Sequence, residues 1–184
     1  KAGTGWMVPA GVRRARGSMG TYENQWGSDV FGMFQSLVDG REVPGALLVK
    51  DVPEDEHQDL DCIIEQLDWE KNVDPYFKQS NYVEPIVDPA GSGDGYTDRW
   101  IDYGGFDGEQ LVSAKELTIQ PGAKMTLRDP GASGWITVQG GGRMGKLELQ
   151  TPVMIHFGEE PYDEVFITAE AAAGGIEIEN TGYE

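Results

Sequence analysis

The second half of the chain carries short runs of β-branched and aromatic residues that recur about every eight to twelve residues. Glycine-rich turns separate these runs, and the chain holds 26 glycines among its 184 residues. Closely spaced short strands joined by tight turns are typical of antiparallel barrels and sandwiches, so we predict an all-β fold. The predicted strands cover residues 99–103, 111–119, 124–127, 135–139, 145–149, 153–157, 164–168 and 176–179, with a hairpin across the glycines at 140–142.

One helix is predicted ahead of these strands, over residues 54–70. Its first turn is acidic, which suits the positive end of the helix dipole. Pro75 stops any continuation, because a proline disfavours helical geometry in the residue before it. Residues 76–95 are rich in proline, glycine and aspartate and are predicted to be a loop. Four apolar residues recur at helical spacing in the predicted helix: Leu60, Ile63, Ile64 and Leu67.

The composition changes near residue 95, from helix and loop signals to strand signals. We therefore expect three parts: residues 1–40, a helical connector over residues 41–95, and a β domain over residues 96–184. The chain opens on Lys1 as if in the middle of a domain, so we also expect it to be a fragment truncated at both ends.

The charge of the chain is strongly acidic, with 32 acidic and 14 basic residues and a net charge of −18. Such a charge repels phosphate backbones and anionic membrane surfaces, so we expect neither nucleic acid nor a membrane as a partner. An acidic excess also keeps a protein soluble. The single cysteine, Cys62, excludes an internal disulfide and fits a reducing compartment, so we expect a cytoplasmic protein. The sequence has no apolar run of about 18 residues that predicts a membrane span.

A strand, a tight corner and a second strand are predicted over residues 5–23. Pro9 and Gly11 form the corner, since proline cannot donate to a ladder and glycine tolerates unusual dihedral angles. The run Arg13-Arg14-Ala15-Arg16 follows and is the only basic cluster in the chain. Arg14 is a candidate ligand for a phosphate or a carboxylate, since a guanidinium matches those anions. The alternative is an edge strand protected by charge.

This corner resembles the second motif of the cupin β-barrels, in which a proline, a glycine two residues on and a histidine three further on precede a strand. Pro9 and Gly11 match the motif, and Arg14 stands at the position of the histidine. The resemblance implies that residues 1–40 are the last strands of a first cupin barrel. In the family that histidine binds a divalent metal, zinc, in the first barrel.

Residues 23–34 resemble the strand that closes the catalytic barrel of class I mannose-6-phosphate isomerases. In that family a Glu/Gln-rich strand leads into a Ser-Asp pair, as in the stretch from Glu23 to Asp29 here. The arginine that assists isomerisation in the family has no counterpart among residues 30–32. Glu23 and Gln25 alternate on one face, so they are candidates for a catalytic base and its hydrogen-bonding partner. The alternative is a solvated strand face.

Residues 113–182 resemble a second, nearly whole cupin jelly-roll barrel. Counted from Gly122, the two histidine positions of the first motif fall on Arg128 and Pro130. The glutamate position falls on Gly134 or Trp135. These residues offer none of the lone pairs that bind a metal, so the resemblance implies a degenerate barrel without a metal cofactor.

Two hypotheses for function follow from these resemblances. The first is a sugar-phosphate isomerase-like protein, in which an aldose and a ketose interconvert and Arg14, Glu23 and Gln25 are the positions carried over. The second is a non-catalytic carbohydrate-binding or regulatory cupin, supported by the degenerate second barrel. Both imply a small-molecule partner, a sugar or a sugar phosphate. A homodimer formed by sheet pairing is compatible with this fold.

Three further groups have the chemistry of a metal site. His57 and Asp61 stand four residues apart on the predicted helix, a spacing that binds metals, and a solvated helix face is the alternative. His156 is expected on the outer face of the strand at 153–157. The acidic loop at 159–164 attracts calcium or is simply solvated.

Overall fold

The structure is a computed structural model that describes residues 3–15, 20–25, 32–103 and 112–183. Strand residues outnumber helical ones, so the prediction of a β-rich chain is confirmed. The chain forms two compact units: residues 1–84 with 102–114, and residues 85–101 with 115–184. The predicted division at residues 40 and 95 stays a prediction.

Short strands tie the first unit together. Strand β1 (Gly5–Trp6) pairs antiparallel with β4 (Tyr82–Val83), and β2 (Leu37–Val38) pairs with β3 (Arg41–Glu42). The two-residue turn between β2 and β3 is Asp39-Gly40, whose φ angles are 49° and 74°. Positive φ at both residues matches the twist of a hairpin, and Asp-Gly is a favoured sequence for it.

Short helices are the other regular elements in the described part of the first unit. These are two 3₁₀ turns (Gly45–Leu47 and Glu54–Glu56) and the helices α1 (Leu60–Glu65), α2 (Trp69–Asn72) and α3 (Phe77–Asn81).

The prediction of one helix over residues 54–70 is wrong, because two aspartates interrupt it. The Asp59 side chain accepts hydrogen bonds from the amides of Asp61 and Cys62 and begins α1. The Asp68 side chain accepts one from the Lys71 amide and begins α2. An aspartate that binds amides ahead of it favours a cap over a helix interior. The loop prediction for 76–95 is also wrong at α3, at β4 and at the short strand Ile86–Val87.

Strands in three open sheets dominate the second unit. One sheet has the order β5-β6-β7, a four-stranded sheet has the order β11-β10-β13-β8, and β12 pairs with β9. The elements are β5 (Ile86–Val87), β6 (Tyr96–Asp102), β7 (Ala114–Ile119), β8 (Lys124–Leu127), β9 (Ser133–Ile136), β10 (Gly140–Met144), β11 (Leu147–Thr151), β12 (Glu164–Ile167), α4 (Ala169–Gly174) and β13 (Ile176–Asn180).

Most of these strands lie where alternation predicts them, and β8 has the predicted bounds. The hairpin across residues 140–142 is wrong, since those glycines belong to β10, which pairs with β11 on one side and β13 on the other. The turn is Gly145-Lys146, and Gly145 has a φ of 59°. A Cβ at Gly142 would overlap the carbonyl oxygen of Glu179, so glycine is required by the close approach of β13.

The strand predicted at 153–157 is also wrong, because those residues are irregular. Pro152 precedes them and has no amide hydrogen to continue the ladder of β11. Helix α4 was not predicted. Thr168 caps it by accepting a hydrogen bond from the Ala171 amide, and Gly175 follows it with a φ of 89°.

The hydrophobic core of the second unit joins residues far apart in the chain. Met144, Ile167, Ala172 and Ile178 are at most 5% exposed and form one cluster. Helix α4 contributes Ala172, which is completely buried. Partly buried side chains pack around the cluster: Leu117, Ile119, Met125, Leu127, Trp135, Leu149, Val165 and Ile176. Among the described residues the sheets remain open, so the jelly-roll barrel stays a prediction.

Candidate functional site

The predicted corner at Pro9 and Gly11 is present and docks on the start of helix α2. The Pro9 carbonyl accepts a hydrogen bond from the Val12 amide at 3.4 Å, and Gly11 has a φ of 73°. A Cβ on Gly11 would lie 2.7 Å from the Asp68 amide nitrogen, so only glycine fits. The Gly11 carbonyl accepts bonds from the Asp68 amide at 3.0 Å and the Asn72 side chain at 2.7 Å.

The basic segment after the corner is fastened by Asn72. Its Oδ1 accepts a hydrogen bond from the Arg13 amide at 2.9 Å. The Arg13 guanidinium lies 6.0 Å from the centre of the Phe34 ring, within reach of a cation–π contact. Residues 12–15 are irregular, so protection of an edge strand does not account for these arginines. Arg16 lies outside the described residues.

Arg14 and Glu23, two of the three predicted site residues, form an ion pair. The Nε and Nη2 atoms of Arg14 donate to Oε1 of Glu23 at 3.2 and 3.1 Å. The two side chains are 48% and 34% exposed, so solvent reaches both partners. The arginine that sequence reasoning offered as an anion ligand is therefore engaged by the residue offered as a base.

The segment that carries Glu23 is held by its neighbour Asn24. The Nδ2 of Asn24 donates to Oδ2 of Asp102 at 3.0 Å. The other oxygen of that carboxylate is buried and has no hydrogen-bond partner among the described residues. Gln25, the third predicted site residue, is exposed. The rest of the stretch that resembles the isomerase strand, residues 26–31, lies outside the described residues.

The residues at the positions where the cupin resemblance implies metal ligands do not fit a zinc ion. Arg14 presents a guanidinium, which carries positive charge and no lone pair. In the second unit, Arg128 donates to the carbonyls of Ala173 and Gly174, both at 3.1 Å, at the end of α4. The Trp135 indole donates to the Ser133 hydroxyl. The described residues include no group of three His, Cys, Asp or Glu side chains with the arrangement of a metal site.

The two histidines and the cysteine also lie outside any shared site. A ring nitrogen of His57 is 2.8 Å from the carbonyl oxygen of Val52, and His156 is exposed in the irregular segment. The Cys62 thiol donates to Glu56 at 2.8 Å. That hydrogen bond raises the pKa of Cys62 to about 11, so the thiol stays protonated near neutral pH.

Sequence reasoning missed a charged cluster in the second unit. The ammonium of Lys115 donates to Asp88 and Asp98, both at 2.7 Å, and lies 4.2 Å from the centre of the Trp100 ring. Asp98 is only 6% exposed. The Ser92 hydroxyl bridges the Asp98 amide and carbonyl and closes the loop at 88–98. The signal for this cluster in the sequence is Lys115, a charged residue among the alternating residues of β7. The neighbouring strand β6 carries the acidic residue Asp98.

The charges of this cluster stabilise one another. Burial lowers the pKa of Lys115, but the hydrogen bonds to Asp88 and Asp98 outweigh it, so the pKa lies above its ordinary value. The hydrogen bond from Lys115 holds the pKa of Asp88 below its ordinary value. Lys115 and Asp88 are therefore charged at neutral pH.

No protein-family model, curated protein or solved structure matches this chain. Within the described ranges, every helix is too short or too polar to cross a membrane. The function must therefore be argued from the residues and their geometry.

Proposed function

We propose that this chain is a cupin-like protein of the cytoplasm and that it binds a sugar through Arg14, Glu23 and Gln25. The observation that carries the proposal is the Arg14–Glu23 ion pair, whose side chains stay 48% and 34% exposed. A ligand reaches both groups from solvent. Gln25, two residues further along and also exposed, adds a side-chain amide.

These three side chains have the hydrogen-bonding groups that a sugar needs. Each sugar hydroxyl both donates and accepts, so a site for it presents donors and acceptors side by side. Arg14 has only donors, the Glu23 carboxylate has only acceptors, and Gln25 has both. The pair is exposed to solvent, and exposed ion pairs contribute little to stability, so hydroxyl groups can rearrange it.

The pairing also favours a neutral sugar over its phosphate ester. A phosphate competes with the Glu23 carboxylate for the Arg14 guanidinium, whereas a hydroxyl group inserts between them. The net charge of −18 adds a repulsion that acts on the phosphate alone.

Isothermal titration with mannose and with mannose 6-phosphate tests this proposal. We expect Arg14→Ala to weaken mannose binding about fivefold or more, the effect of losing one or two charge-assisted hydrogen bonds. Glu23→Gln removes the competing charge, so it should shift the preference towards the phosphate ester. Arg41→Ala and Glu42→Ala, exposed residues of β3, are matched controls. Mannose binding that is equal in the wild type and Arg14→Ala contradicts the proposal.

The second candidate is a sugar-phosphate isomerase that interconverts an aldose and a ketose. It is favoured by the position of a carboxylate directly beside a guanidinium. In this reaction Glu23 removes the proton from C2 of the aldose and returns it to C1, the hydroxyl proton of O2 moves to O1, and Arg14 stabilises the negative oxygen of the enediolate intermediate. Arg14 has no lone pair for a metal, so it does not hold the zinc ion that the cupin resemblance implies.

Proton exchange separates the two candidates. An isomerase in D₂O puts deuterium on C2 of the aldose, which is seen by NMR, and Glu23→Gln stops that exchange. A binding module binds mannose and leaves C2 fully protonated. Absence of exchange at saturating ligand overturns the isomerase candidate and leaves the binding proposal standing.

A further inference from the structure

An irregular segment of the second unit exposes several large apolar side chains. In residues 153–162, Met154 and Ile155 are 76% and 75% exposed, and Phe157 is fully exposed. Both ends of the segment are fixed by backbone hydrogen bonds. The Gln150 amide donates to the Tyr162 carbonyl at 3.0 Å, and the Thr137 amide donates to the Asp163 carbonyl at 2.7 Å. The apolar side chains therefore belong to an anchored loop.

The apolar surface continues on the outward face of β9 and β12. Their register pairs Glu164 with Ile136 and Phe166 with Gly134, which places Ile136 and Phe166 diagonally on one face. Phe166 is 72% exposed and Ile136 is 47% exposed. Val138, just beyond β9, is 87% exposed. The opposite face of this sheet carries the core residues. The side chains of the outward face therefore have no packing partner among the described residues, and the strand pairing holds them in place.

A pocket of about 280 Å³ lies within the same loop. Its lining includes Met154, Ile155, Glu159, Glu160 and Tyr162. Ligand pockets for small molecules span about 300–1,000 Å³, so this one suits a single side chain. Apolar side chains beside two carboxylates match a lysine or arginine, whose aliphatic stem packs on apolar groups while its charge meets the acids.

The charge around this surface selects a basic occupant. Four acids lie within six residues: Glu159, Glu160, Asp163 and Glu164. A second copy of the chain brings the same acids and a net charge of −18, and so is repelled. A cationic partner is attracted.

We propose that the loop at 153–162 and the outward face of β9 and β12 form a docking surface for an extended basic and apolar segment of a partner protein. A lysine or arginine of the partner enters the pocket, and its apolar side chains cover Ile136, Val138 and Phe166. The structure describes no third strand in the β9–β12 sheet, so the partner segment can also pair along an edge.

Fluorescence anisotropy with labelled ten-residue peptides tests this surface. The probe alternates lysine and leucine, one control alternates glutamate and leucine, and the other alternates lysine and serine. We expect saturable binding of the lysine–leucine peptide at least about tenfold tighter than that of either control, since both charge and apolar burial contribute.

Variants locate the binding on the protein. Phe166→Ser and Val138→Ser each remove an exposed apolar group and should weaken binding about three- to tenfold. Val138 lies outside the strands, so that variant keeps the fold even where Phe166→Ser does not. Glu159→Gln combined with Glu160→Gln should weaken binding about threefold or more. Leu147→Ser, at an exposed site of β11, and Glu54→Gln with Asp55→Asn are the matched controls.

Three outcomes overturn the proposal. Equal binding of the lysine–leucine and lysine–serine peptides shows attraction by charge alone. Unchanged binding in both Val138→Ser and the glutamate variant places the peptide elsewhere. Sedimentation that shows a dimer which Val138→Ser dissociates makes a second copy the occupant.

Discussion

The second unit is held together by side chains that meet from distant strands, whereas the first unit is held together mostly at the backbone. Met144, Ile167 and Ile178 come from β10, β12 and β13 and share one buried cluster. In the first unit the buried apolar residues Val52, Ile63 and Val83 belong to no such cluster among the described residues. There hydrogen bonds join distant segments, as where Asn72 binds the corner at Gly11, and one ring contact joins Trp6 to Tyr82.

This difference between the two units affects which of them can accommodate a ligand site. Apolar burial stabilises a fold by about 25 cal/mol for each Å² removed from water, and a hydrogen bond contributes a net of only about 0.5–1.5 kcal/mol. A unit fastened by hydrogen bonds therefore opens locally at lower cost. The Arg14–Glu23 pair lies in that unit, where a ligand can rearrange the side chains without disturbing a packed core.

The largest expected effect is a cavity in the core of the second unit. Met144→Ala removes a side chain that is 3% exposed, so we expect a loss of about 2–5 kcal/mol in the free energy of unfolding. Urea unfolding measures it, with Leu147→Ala, which is 52% exposed, as the control. Equal losses for the two variants contradict the core described here.

A smaller loss is expected at the close approach of β10 and β13. Gly142→Ala places a Cβ against the Glu179 carbonyl, and the backbone shift it forces should cost about 1–3 kcal/mol. Gly134→Ala is the matched control, since a Cβ there meets no atom within 4 Å. If both glycines tolerate alanine equally in thermal unfolding, the strand register is wrong.

The fastening of the first unit is tested at Asn72. Asn72→Ala removes bonds to the Arg13 amide and to the carbonyls of Gly11 and Asp68, and we expect a loss of about 1–3 kcal/mol. Hydrogen exchange should rise first at the amides of Val12 and Arg13. Lys78→Ala, an exposed change in α3, is the control. Hydrogen exchange that rises equally in both units contradicts a local stabilising role for Asn72.

The smallest expected effect is on the pH dependence of the stability of the second unit. The folded pKa of Asp88 lies below its unfolded value, so its contribution to stability is present above the unfolded pKa and is lost as the pH falls through the folded pKa. Asp88→Asn should flatten the acid limb of unfolding curves measured below about pH 4. Asp94→Asn, a substitution in the same loop, is the matched control.

The sequence predicted the second unit better than the first for a physical reason. Alternation specifies a strand when one face is buried, and β8, β12 and β13 satisfy that condition. The sequence misplaced β10, because three glycines in succession usually indicate a turn. Here they lie in a strand because the backbone of β13 approaches them closely. Helix α4 was missed because it is short and its stability comes from the burial of Ala172 and its Thr168 cap.

In the first unit, local hydrogen bonds decided the outcome. The helical periodicity over residues 54–70 was real, yet Asp59 and Asp68 capped short helices instead. Arg14 and Glu23 are both candidates from the sequence and the structure pairs them, while their role as a site stays a prediction. Their pairing was not foreseen, because an ion pair between irregular segments leaves no periodic signal.

The most direct test of the central claim is an NMR titration that follows the arginine Nε–H signals as mannose is added. We predict that the Arg14 signal shifts with saturation, while those of Arg41 and Arg128 stay in place. The shift should vanish in Glu23→Ala, which removes the acceptor beside the guanidinium. The contrary result is an Arg14 signal that does not move at mannose concentrations at which isothermal titration shows binding. The sugar would then bind elsewhere, and the proposed site would be wrong.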